Sequence, residues 1–474
     1  MTAPTEVARQ HPGRTLAILA VGALAYALAQ TMIVPALPAI QSDEHVSGET
    51  TTWLITAFLV TSCVCMPTLG RLGDMFGKEK LLLVALAVFG LGSLICALGS
   101  SSIEVLIAGR AVQGAGGAIF PLTFGIIRDE FPADRVAGSI GLVSATFGIG
   151  GGAGLVGAGI LVDHVSVAWI FWFSVAMTAV AAWATWRYVP ESPVRVPARI
   201  DWGGTALMSV ALVCVLLGVS QGNAWGWTSG GVLGVIAAGV VVAALFIAYE
   251  RRVAQPLIDI PLMRERPVWT TNATAFAIGF AMFGSFILIP QLVELPGASG
   301  YGFGRTATVA GLVLLPSSVV MLFAGPASGW LGARFGSRLP LALGTVFTAL
   351  GYAELAALHA TLVEVAFGAA LMGIGIALAF AAMANLVVQS VRQDQTGLAS
   401  GVNMIMRNIG GAVGAQVAAA ILTADTILGG RYPAESGFTG AFAMSAVAAV
   451  VALGATAVIP RPQPATRLAA NAAG

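Results

Sequence analysis

The sequence predicts an all-α integral membrane protein of fourteen spans, and three observations carry that prediction. Of the 474 residues, 57% are apolar and only 9% are charged, against roughly a quarter charged in a soluble domain. Fourteen runs approach the roughly 20 mostly apolar residues that cross a bilayer core. A charged, glycine-rich segment, Gly70-Arg-Leu-Gly-Asp-Met-Phe-Gly-Lys-Glu-Lys80, recurs in part at Gly329-Trp-Leu-Gly-Ala-Arg-Phe-Gly336. Backbone groups in lipid find no water, so runs of this kind must close their hydrogen bonds internally as helices.

The runs fall at 15–37, 50–70, 81–99, 103–127, 136–161, 167–188, 203–220, 229–249, 268–291, 305–328, 339–358, 363–388, 398–424 and 437–459. The first is longer than the roughly 7–15-residue apolar core of a signal peptide, so it reads as a retained span. The repeat has an offset of 259 residues, which places Gly70, Gly73 and Gly77 on Gly329, Gly332 and Gly336, and Gly114 on Gly373. Spans 1–6 and 9–14 are therefore expected to be related halves, with spans 7 and 8 inserted between them. The expected organisation is a cytoplasmic tail (1–14), a six-helix bundle (15–188), two inserted helices with cytoplasmic linkers (189–267), a second six-helix bundle (268–459) and a tail (460–474). Pro190, Pro193 and Pro197 favour an extended first linker.

Charge sets the orientation. With both termini inside, nineteen Lys and Arg side chains fall on inside segments, and only Arg305 and Arg431 fall outside. Arg110 and Arg407 lie within spans. Trp225 and Trp227 in an outside loop suit an interfacial aromatic belt. The formal net charge of +1 carries no nucleic-acid footprint. The four cysteines sit inside apolar runs and spell no disulfide framework. No cluster of His, Asp or Cys suggests an enzyme, a cofactor or a metal. Arg-rather-than-Lys usage with abundant Ala and Gly suggests a GC-rich bacterial source, hence an inner-membrane, multi-pass location.

The segment at 70–80 reads as a tight turn at the inside face. Gly70, Gly73 and Gly77 permit close packing, and Asp74, beside Arg71 and Lys78, can accept from a helix end or pair with a base. The downstream copy has Ala333 in place of the acid. In span 4, Arg110, Gln113, Gly114, Gly117 and Pro121 share one helical stripe. Arg110 lies roughly 13 Å below the outside surface at 1.5 Å per residue, and a charge at such depth usually faces a cavity. Span 5 carries Gly148, Gly150, Gly152 and Gly154, a small-residue pattern that lets backbones meet. Gly150 and Gly154, with Gly410 and Gly414 of span 13, are expected to form a seam between the halves.

Further cavity candidates are Tyr26, Gln30, Gln291, Asn385, Asn403 and Arg407. Arg407 shares a stripe with Asn403, Gly411 and Gly414. It either makes the cavity favour neutral or anionic substrates or bonds carbonyls and amides across the bundle. Of the 22 acids, none lies near the midplane; Glu354, in the outer part of span 11, comes nearest.

With these motifs the chain resembles the major facilitator superfamily, and within it the fourteen-span drug:proton antiporter branch. Gly70–Lys80 is similar to that superfamily's loop between spans 2 and 3, Arg110-x-x-Gln-Gly-x-Gly to its span-4 motif, and the span-5 glycines to its antiporter motif. Asp201-Trp202-Gly203, Glu250-Arg-Arg and Pro256-Leu-Ile-Asp259 are also similar to this branch. The resemblance implies proton-coupled export of small amphipathic compounds, with Asp74 gating the inside-closed arrangement and Arg110 linked to proton transfer; Glu354, the acid nearest the midplane, joins Arg110 and Asp74 as a coupling candidate. The implied partners are a small-molecule substrate, protons and the lipid bilayer, with the chain acting as a monomer. Three departures stand out: Gln30 replaces the usual span-1 aspartate, Leu155 follows Gly154 where the pattern has proline, and Val167-Ala168-Trp169 replaces a Trp-Arg-Trp pattern. Gln30 cannot titrate, which leaves import or uncoupled passage of a neutral or anionic molecule as the alternative.

Overall fold

The computed structural model describes residues 12–46, 48–191, 201–253, 256–258, 260–392, 395–427 and 432–459. Residues 1–11 and 460–474, Pro193, Pro197, Asp259 and Arg431 lie outside the described residues. The chain folds as long helices: Pro12–Thr31, Gly48–Phe76, Lys78–Leu98, Ile103–Ala115 with Ile119–Glu130, Ala133–His164 and Ala168–Tyr188 are spans 1–6. Trp202–Ser220 and Gly230–Glu250 are spans 7 and 8. Arg266–Glu294, Ala307–Phe335, Arg338–Ala357, Leu362–Ser390, Thr396–Ala424 and Glu435–Val458 are spans 9–14. Among the described residues thirteen helices are long and apolar enough to cross a membrane. Span 9 is of matching length, with the side chains of 283–287 outside the description. A two-residue ribbon, Thr426–Ile427 with Tyr432–Pro433, is the sole strand pairing among the described residues.

Local chemistry sets the helix ends. Ser102, Asp201, Ser229, Thr306 and Thr361 accept from backbone N–H groups of the first turns of spans 4, 7, 8, 10 and 12. Thr361 and Glu364 complete a reciprocal capping box. Two expectations need correction. The tight turn expected over 70–80 is narrower than that: helix runs to Phe76 and restarts at Lys78, so the turn is Gly77 alone, at φ +116°. Gly336 takes φ +83° at the corresponding place in the second half, so the repeat reproduces the turn and its demand for glycine. Span 4 is also not continuous, because Gly116–Ala118 form a turn between its two helical pieces.

Two long contacts join the halves: span 5 against span 10, and span 2 against span 13. On the first, Gly141, Gly148 and Gly152 face span 10, where a Cβ on Gly141 would stand 2.5 Å from the carbonyl oxygen of Gly325. The expected seam of spans 5 and 13 is therefore wrong in its partners. Gly150 and Gly154 face Ala27, Thr31 and Met32 of span 1, and Gly410 and Gly414 face Phe276 and Phe280 of span 9, each within its own half. The reason is the helical period: glycines two apart point to nearly opposite sides, so one set serves the internal packing and the other the seam. The inserted span 7 leans on spans 2 and 13 through Cys63, Leu216, Ile405 and Ala412. Span 8 packs on span 7, and most of its surface is exposed, as lipid contact requires.

Candidate functional site

A cavity of about 130 Å³ lies between the halves, lined by residues that include Gln30, Thr31, Thr56, Arg110, Phe147 and Gln416. It sits beyond Arg407 as counted from the start of span 13: Gly411, Ala412 and Ala415 line it. A smaller niche of about 20 Å³ lies toward the 70–80 face and is lined by Ser144, Phe147, Phe380, Ser400, Asn403 and Arg407 among others. Phe147 of span 5 and Phe380 of span 12 meet edge to face at 5.5 Å. The Arg407 guanidinium stands over both rings, 4.8 and 4.3 Å from their centres. This aromatic contact crosses from one half to the other between cavity and niche.

Arg110 is partnered at Nε and Nη1. Its Nε donates to the Leu54 carbonyl at 3.0 Å and its Nη1 to the Ala29 carbonyl at 3.2 Å and to Gln113 Oε1. Gln113 in turn donates to Ser93 Oγ at 2.7 Å. The guanidinium also lies 4.2 Å from the Phe58 ring centre. The span-4 arginine thus ties spans 1, 2 and 3 together while one edge reaches the cavity. The break after Ala115 places Gly116 and Gly117 against Phe89 and Ser62, a fit that a side chain would spoil.

At the 70–80 face the halves are clasped. Asp74 is 0% exposed, and its Oδ2 accepts from the Leu398 N–H at 3.4 Å across the seam. Lys78, also 0% exposed, lies 3.3 Å from Asp74 and 2.6 Å from Asp129. Burying two carboxylates with one ammonium is tolerable only because the three are in contact. Gly70 meets Gly397 backbone to backbone, where a Cβ would come within 2.7 Å of the Gly397 oxygen. Arg71 stands half-buried on the same turn. Arg128 donates to Thr396 Oγ1 at 2.6 Å and to the carbonyls of Val391 and Arg392 at 2.6 and 3.1 Å.

The structure brings some expected residues together and separates others. Gln30, Arg110, Asn403 and Arg407 reach the cavity or the niche. Tyr26 does not: it is 1% exposed inside the first half, stacked among Phe58, Phe89 and Phe120. Gln113 is buried behind Arg110. Asn385 donates to the Ala137 carbonyl across the span 5–12 contact. Gln291 is exposed near the end of span 9 and lines neither the cavity nor the niche. Glu354 packs against Gly368 of span 12, remote from Arg110 and from Asp74, so the three coupling candidates do not form one site. Sequence reasoning missed Phe147 and Phe380, which look like ordinary apolar residues. It also missed the clasp roles of Arg128 and Asp129, although adjacent opposite charges at a span end were a usable signal.

Comparison with known proteins follows the same lines. The profile of the Major Facilitator Superfamily matches residues 19–415. The tetracenomycin C resistance and export protein of Streptomyces glaucescens is 29% identical over 87% of this chain and 76% of its own length. The multidrug resistance protein Stp of Mycobacterium tuberculosis is 31% identical over 82% of this chain and 72% of its own. Multidrug resistance protein 3 of Bacillus subtilis is 26% identical over 85% and 78%. The crystal structure of the human organic anion transporter MFSD10 superposes with a TM-score of 0.70 over 94% of this chain and all of that one, at 14% identity, a likeness of fold.

Proposed function

This chain belongs to the Major Facilitator Superfamily, and from that premise we propose that it is a proton-coupled exporter of small amphipathic compounds working by alternating access. The bundles at 15–188 and 268–459 rock against each other, and the inserted pair within 189–267 braces the span 2–13 side. Both termini face the cytoplasm, which makes the 70–80 face the cytoplasmic one. The observation that carries this reading is the clasp: Asp74, Lys78, Asp129 and Arg128 hold the halves shut at that face while a cavity lies beyond it. Relatives named for multidrug resistance and for tetracenomycin C export support the direction. Opening the clasp toward the cytoplasm parts Asp74 from the Leu398 N–H, and a carboxylate that loses a hydrogen-bond donor takes up a proton more readily.

Everted membrane vesicles test it. An inward-acidic pH gradient should drive accumulation of a transported dye, and an uncoupler should abolish it. Accumulation that persists with no ion gradient would indicate a facilitator and overturn the coupling. Loss of resistance in a deletion strain, restored by complementation, is the matching observation in cells.

A further inference from the structure

Arg407 is a buried cation without an acidic partner among the described residues. It is 8% exposed, its Nε has no hydrogen-bond partner, and the hydroxyls of Ser144 and Ser400 in the same niche are equally unpartnered. Among the described residues no aspartate or glutamate lines either the niche or the larger cavity, and the other charged lining residue is Arg110. The two arginines differ in how they are held. Arg110 spends its donors on the carbonyls of Leu54 and Ala29 and on Gln113, so it is committed to the fold. Arg407 stands over the faces of Phe147 and Phe380, and its Nε has no hydrogen-bond partner among the described residues. Ring faces return part of the hydration a guanidinium loses on burial, but an unpaired charge within a membrane domain remains expensive and usually marks a ligand path.

We propose that Arg407 is the anion-recognition residue of the cavity, and that the substrates are amphipathic aromatic anions bearing a carboxylate, sulfonate or phenolate. At about 20 Å³ the niche holds roughly one water as it stands, so a head group enters it only as Phe147 moves. A planar guanidinium can hold an oxyanion with two parallel hydrogen bonds, and the free hydroxyls of Ser144 and Ser400 add donors. The apolar body of the ligand belongs in the larger cavity, where Ile55, Phe58 and Leu59 form much of the wall. Phe147 borders both spaces and is the ring that must swing to join them. A cation of the same shape would meet two arginines and no counter-charge. The assignment rests on the reading of this cavity as the transport path.

The test uses the full chain in lipid nanodiscs with two probes that share a ring and differ in charge, 1-naphthalenesulfonate and 1-naphthylmethylammonium. Flow dialysis should show binding of the sulfonate and none of the ammonium at equal concentration. Arg407→Gln should weaken the sulfonate by about tenfold or more, the scale of a lost charge-assisted bond. Arg407→Lys should fall between, keeping the charge and losing the fork. Asn403→Asp, which places a carboxylate one helical turn from Arg407, should weaken the sulfonate comparably in a protein that folds normally. Equal binding of the two probes, no sulfonate binding, or binding unmoved by Arg407→Gln and Asn403→Asp overturns the assignment. Everted-vesicle uptake separates the two readings: selective sulfonate binding without uptake refutes export and leaves Arg407 in place. Gradient-driven uptake indifferent to probe charge leaves export standing and refutes Arg407.

Discussion

At the scale of single residues, Asp74 has the most contacts at stake. Its carboxylate is wholly buried and holds both Lys78 and the Leu398 N–H. Asp74→Asn keeps the shape and removes the charge, leaving Lys78 to Asp129 alone. A hydrogen bond to a charged group is worth about 1.5–3 kcal/mol, so the closed arrangement should lose roughly ten- to a hundredfold in population. Export should fall by a similar factor while the amount of protein in the membrane stays normal; a fully active Asp74→Asn would remove the clasp from the mechanism. The acid, its turn and the glycines around it were legible in the sequence, because charge and glycine are rare in an apolar chain. The pairing with Asp129 was not, because 51 residues separate Lys78 from its partner.

At the scale of helices, the glycines of span 5 divide by face. Gly141 meets the backbone of span 10, whereas Gly157 has nothing within 4 Å of its Cβ position. Gly141→Ala should push spans 5 and 10 apart, at about 1–3 kcal/mol for overpacking, and should slow or stop export. Gly157→Ala should leave export intact and raise stability slightly, by about 0.4–1 kcal/mol through the unfolded chain. Thermal unfolding in detergent and vesicle uptake measure both, and equal behaviour of the two variants would show that the seam does not depend on close backbone contact. The sequence announced this glycine-rich helix plainly. Which glycines meet span 10 was not legible, since period alone separates two faces without naming what lies against each.

At the scale of the molecule, the halves touch at two depths along span 13. Asn408 Nδ2 lies 3.7 Å from Cys63 Sγ near the middle of spans 2 and 13, and Arg128 bonds Thr396 at the clasped face. Rocking leaves the middle nearly still and parts the ends. In a background with the other cysteines replaced by serine, a disulfide between Asn408→Cys and Cys63 should therefore permit export. A short thiol cross-linker between Arg128→Cys and Thr396→Cys should hold transport below that of the same double variant left unlinked, with thiol release returning it to that level. Equal inhibition by both links would argue against a pivot at mid-depth.

The sequence by itself determined the all-α membrane fold, the long helical runs and the internal repeat. These follow from local facts: apolar length, the need to satisfy backbone groups in lipid, and glycine at a positive φ in both Gly77 and Gly336. Only the tertiary structure decided that Tyr26 and Gln291 stay out of the cavity and that spans 5 and 10 form the seam. It alone placed Arg407 between two phenylalanines with no acid beside it among the described residues. Those are contacts between residues far apart in the chain. Helical period fixes which side chains share a face, but the neighbour of that face is chosen by how all the helices pack at once.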